Sequence, residues 1–179
     1  MLYVFGFERT GVVISDLYFV DPQPPRGQEG AEHGVRLEVR LLERGDLKGS
    51  IYSAVPIGVG HPIWRMDLLE SVAGPPGSRD RMHYHPGMHG WEPGPRVFDR
   101  ELTADPVGWL GRQLSDLEKL LAGAGAGGDP ADAADAAELR RAVPEIMRAV
   151  SSLLERVRAG ELATPSAGEP VTSARASWL

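Results

Sequence analysis

The chain has 179 residues, enough for one globular domain or one domain with a helical appendage, with an ordinary apolar share that can build a core. A formal net charge of −6 and a pI near 5.4 argue against sequence-independent binding to nucleic acid, which needs surplus Lys and Arg. With no cysteine, disulfides, thiolate metal sites and cysteine nucleophiles are excluded, so any metal must be held by His, Asp or Glu.

The start, Met1 to Glu8, lacks the basic opening of a secretory signal, and no apolar stretch is long enough to span a membrane. The expected location is cytoplasmic. Residues 2–20 read as two strands around Arg9-Thr10-Gly11, the second rich in β-branched and aromatic side chains. Residues 21–34 read as a loop broken by Pro22, Pro24 and Pro25. From Val35 to Leu41, aliphatic residues alternate with Arg36, Glu38 and Arg40, the period-two pattern of a strand. Those charges read as a solvated sheet face. A turn at Arg44-Gly45-Asp46 leads to an expected strand over 50–57. Another strand is expected from His61 to Val72, and a last one from Asp80 to His85. Short strands with frequent turns point to a small barrel or sandwich.

Near Asp105-Pro106 the pattern changes. Asp105 suits an N-cap and Pro106 the first helical position. Val107, Leu110, Leu114, Leu117 and Leu121 then form one helical stripe. A Gly/Ala linker over 123–128 leads to Asp129-Pro130, read as the opening of a second helix with the stripe Leu139, Val143, Ile146, Val150, Leu153 and Val157. The fold class is therefore α+β: an antiparallel β-barrel or sandwich over 1–104 and an antiparallel helical hairpin over 105–160. Residues 161–179 read as a flexible tail reaching Trp178-Leu179.

One stretch carries chemistry. His83, His85 and His89 place three of the five histidines within seven residues. On a strand, His83 and His85 leave the same face, where two imidazoles can chelate a divalent metal. Pro86-Gly87 lets His89 swing back as a third ligand, with Glu92 as a fourth ligand or general base. His61, Arg65 and Asp67 share one face of the preceding strand: His61 is a further candidate ligand, and Arg65 and Asp67 are candidate catalytic groups. The cofactor expected from these donors is a divalent zinc, iron, nickel or manganese ion. Arg81 and Arg96 are candidates for attracting an anionic substrate.

His83-Tyr84-His85-Pro86 resembles the HxHP segment of the JAMM/MPN metalloproteases. That family places an acidic ligand where this sequence has Arg96, and its serine is missing here, so no protease activity carries over. HxH on a β-rich scaffold also resembles the cupin metal motif, with Pro56 to His61 similar to the PxGxxH element. In cupins that element follows the HxH, whereas here it precedes it, and the glutamate comes sooner than Glu92. The residues His61 to Arg65, His83 to Pro86 and Gly90 to Gly94 together resemble an uncharacterised bacterial domain family, a likeness that implies no activity.

Two functional expectations follow. The first is a metal-dependent enzyme acting on a small-molecule ligand. The second is a non-catalytic module whose hairpin stripes join copies into a homo-oligomer or dock a partner, with neither nucleic acid nor membrane involved.

Overall fold

The computed structural model describes residues 1–165. The expected tail, from residue 166 to Trp178-Leu179, lies outside the described residues.

Five strands run antiparallel in chain order: β1 (Leu2–Gly6), β2 (Thr10–Val20), β3 (Ala31–Arg44), β4 (Ile57–Ser71) and β5 (His83–His85). The sheet is open, with β1 and β5 at its edges, so it does not close into a barrel. A small hairpin of β6 (Met88–His89) and β7 (Glu92–Pro93) follows. Four helices complete the chain: α1 (Arg100–Ala104), α2 (Pro106–Leu114), α3 (Leu117–Gly123) and α4 (Asp132–Arg158).

Two of the helices start at a capping carboxylate, Asp99 for α1 and Asp105 for α2. The Asp105 carboxylate accepts from the Gly108 amide, and Pro106 fills the first turn of α2, as the sequence predicts. The expected single helix beyond Asp105 is two, divided at Ser115–Asp116. The second helix opens at Asp132 rather than at Asp129-Pro130, because the Asp132 carboxylate folds back to accept from the amides of Gly128 and Asp129. Pro144 sits inside α4, which continues through it. The strand expected over 50–57 does not form. Gly45 and Pro56 close a loop by one backbone bond, and Ile51 and Tyr52 stand exposed with no neighbouring strand to cover them.

One face of the sheet carries the core. Val12, Ile14, Val35, Leu37, Val39, Trp64, Met66 and Leu68 are buried there, in one cluster with Leu110, Leu114, Leu117, Leu139, Ile146, Val150 and Leu153. The helical stripes thus find their apolar partner on the sheet of the same chain, and a single core runs through both halves. Trp109 of α2 meets Tyr84 and Trp64, with ring centroids 4.9 and 6.5 Å away.

A buried carboxylate fastens α4 to the sheet. Asp135 accepts the amides of Glu8, Arg9 and Thr10 and the Thr10 hydroxyl, all at 2.7–3.0 Å. It thereby satisfies three backbone donors at the β1–β2 turn that would otherwise be unpaired.

Candidate metal centre

Strand alternation sends the other half of the sheet's side chains to the opposite face. Register places Arg36 across from Asp67 and Glu38 across from Arg65 between β3 and β4. It also places Asp67 across from His83 and Arg65 across from His85 between β4 and β5. Four side chains from three strands therefore converge on Asp67.

This face is polar, yet it is not a solvated one as the alternation in β3 suggests. The side chains of Arg36, Glu38 and Arg40 are only 14%, 8% and 13% exposed. The reason lies in the segment from 86 to 98, which folds over them. Gly94 reaches His85, Phe98 lies against His83, and Trp91 lies beside Arg40 and His61.

Asp67 is 1% exposed and is held from two sides. Arg36 grips it with two bonds, Nε to Oδ1 at 2.7 Å and Nη2 to Oδ2 at 3.2 Å, the fork that suits a carboxylate. Arg65 Nε lies 3.2 Å from Oδ2. Burial alone would raise the Asp67 pKa. The Arg36 charge, with that of Arg65 beside it, outweighs burial and holds the carboxyl well below its ordinary range. Burial pushes the Arg65 guanidinium down from its usual value, against the pull of Asp67.

The backbone orients both imidazoles. His83 Nδ1 lies 2.8 Å from the Arg81 carbonyl and His85 Nδ1 lies 2.6 Å from the Gly94 carbonyl. A carbonyl only accepts, so each Nδ1 carries the proton and donates. Arginine only donates, so His85 Nε2, 3.0 Å from Arg65 Nη2, accepts with its lone pair. The Nε2 atoms of His83 and His85 stand 3.4 and 3.6 Å from Asp67 Oδ2. Those distances are long for hydrogen bonds. They match the edge of about 3.3 Å expected between two ligands held 2.0–2.1 Å from a tetrahedral ion. Among the described residues, Asp67, His83 and His85 are the one group of three acidic or imidazole side chains whose donor atoms all lie within 4.8 Å of one another.

The other expected site residues lie elsewhere. His89 and Glu92 face each other across the β6–β7 hairpin and both are exposed, on the solvent side of the segment that returns to β5 at Gly94 and Phe98. His61 lies beyond the register shift between β3 and β4 at Arg40, with its ring 6.4 Å from that of Trp91. The structure brings none of these three into the Asp67 group. Arg65 and Asp67, expected together, are together. Arg36, read from the sequence as a solvated charge, is the principal partner of Asp67. The signal that could have found it is the register, which no single strand reveals.

A second polar cluster borders this one. The Glu32 carboxylate is buried without a hydrogen-bond partner, 3.9 Å from Arg81 Nε and 3.8 Å from Arg96 Nη1. The two arginines instead tie down the loop between β2 and β3. Arg81 donates to the carbonyls of Gly27 and Glu29, and Arg96 to the side chains of Gln28 and Asp21. Burial raises the Glu32 pKa against the charges of Arg96, His83 and Arg81. A raised carboxyl keeps its proton longer in the folded state, so it lowers stability as pH rises from about 4.3 through the folded value. Glu32→Gln removes that dependence. The stability difference between variant and native protein, read by urea denaturation, is expected to shift in favour of Gln as pH rises from about 4.3. A difference that stays constant above that pH would refute the assignment.

Comparison with known proteins finds no matching family model, no matching curated protein and no matching solved structure. Among the described residues, no helix is long and apolar enough to cross a membrane.

Proposed function

We propose that Asp67, His83 and His85 hold a divalent metal ion and that the protein is a metal-dependent enzyme acting on a small molecule. The observation that carries this reading is the convergence of two imidazole Nε2 atoms on one carboxylate oxygen at ligand-to-ligand spacing. Each Nδ1 is already committed to a backbone carbonyl. That second set of bonds fixes the tautomer and ring plane of a metal-binding histidine.

Two nitrogens and one carboxylate oxygen suit zinc, iron, nickel or manganese, and three protein ligands leave coordination positions for water or substrate. Bound there, the ion would polarise a substrate oxygen or lower the pKa of a bound water. The chain's own part is to fix the ligand geometry, keep the three donors dry and hold Asp67 ionised through Arg36. The triad is nearly sealed: the charged side chains beside it, Arg36 and Arg65, are only 14% and 12% exposed, and Phe98 against His83 is about half exposed. A ligand reaching the ion along these side chains is small.

Elemental analysis of untagged protein tests the reading, beside the double variant His83→Ala/His85→Ala. Near-stoichiometric metal in the native protein, lost in the variant, is the expected result. No metal in either, even after incubation with zinc, iron, nickel and manganese, would refute it.

A further inference from the structure

Arg65 occupies the place a metal would take. Its Nη2 lies 3.0 Å from His85 Nε2 and its Nε 3.2 Å from Asp67 Oδ2, two of the three donor atoms. One cation must leave for another to enter. The displaced guanidinium then has few acceptors in reach. Glu38, its neighbour across the β3–β4 ladder, is shared with Arg40, whose two bonds both go to Oε2. Arg65 Nε forms no hydrogen bond even in the present arrangement.

Charge leads to the same point. Around Asp67 the face carries Arg36, Arg40 and Arg65 against Asp67 and Glu38, with Glu32, Arg81 and Arg96 on its border. A divalent ion adds two positive charges to a face already crowded with guanidinium groups. In a site this buried, uncompensated charge is costly and draws in a counter-ion. An oxyanion answers both needs, since one oxygen can ligate the ion while the others accept from the guanidinium fork.

Resting on the metal reading above, we propose that the centre binds its metal together with a small oxyanion, a carboxylate or a phosphate-like group. The two bind cooperatively, and Arg65 turns from blocking the site to holding the anion. The substrate class is thereby a small anionic molecule.

The test is calorimetric titration with nickel(II) in chloride buffer, and again with acetate or with sulfate at matched ionic strength. In the native protein either acetate or sulfate is expected to tighten nickel binding by about tenfold, a typical coupling between two ligands. In Arg65→Gln the enhancement is expected to vanish while nickel binds more tightly in chloride alone. Arg36 still holds Asp67 in that variant, and circular dichroism checks that it folds. Should it not fold, Arg65→Lys serves, with an enhancement expected to fall because an ammonium lacks the fork. Nickel binding that neither anion changes in the native protein would overturn the proposal and leave the metal site standing. Equal enhancement in Arg65→Gln would also overturn it. Absence of nickel binding in both native protein and Arg65→Gln would overturn the metal reading as well.

Discussion

Replacing Asp67 with Asn is expected to cost about 3–5 kcal/mol of folding stability, the range for removing one partner of a buried ion pair. The variant keeps the shape of the side chain and removes the charge that two guanidinium groups share. Arg36 is only 14% exposed, so water replaces a small part of what it loses. Against a typical total of about 5–15 kcal/mol, this leaves little margin, and urea denaturation near neutral pH reads it directly. A loss below about 1 kcal/mol would show that the pair is dispensable to the fold.

The same variant carries a pH signature. Because the folded pKa of Asp67 is depressed, its contribution is complete above the unfolded value of about 3.9 and fades as pH falls through the folded value. Measured on metal-free protein, the gap between native protein and Asp67→Asn is therefore expected to narrow below about pH 4. A gap that widens in acid would contradict the assignment of Asp67 as the depressed group.

Gly34→Ala is expected to cost about 3 kcal/mol or more, at the upper end of overpacking effects. A Cβ at this position would lie 2.0 Å from the Leu68 carbonyl oxygen, and no side-chain rotation can relieve a clash with backbone. Gly34 pairs with Leu69, two residues from Asp67 on β4. The strands must therefore separate next to the site, and metal binding is expected to weaken along with the denaturation midpoint. Native-like stability in Gly34→Ala would mean that β3 and β4 can part there without loss.

The sequence made much of the scaffold legible, and for local reasons. Val35, Leu37 and Val39 alternate because one face of β3 is core, and that face is where the structure puts them. Asp105-Pro106 marks a helix start because both residues act within one turn. What stayed hidden depends on pairing between distant segments. Gly34 reads as loop until its close approach to Leu68 is seen. Arg36 reads as a solvent-facing charge until β4 brings Asp67 opposite it. The site was legible to the same extent. The HxH spacing puts His83 and His85 on one face through strand geometry alone, whereas the third donor comes from another strand and not from the next turn. The neighbours in sequence, His89 and Glu92, drew attention that the ladder gives to Asp67.

Asp135 also bears on how the molecule comes into being. Its carboxylate answers amides that precede it by as many as 127 residues, so the β1–β2 turn waits for its acceptor until α4 has been made. The N-terminal hairpin leaves the ribosome with its turn donors on water and its apolar face uncovered, because α4 does not yet exist. Such long sequence separation slows folding and exposes intermediates to association. The native state is expected to form only once α4 has been made, and truncations that remove α4 leave the apolar face of the sheet uncovered.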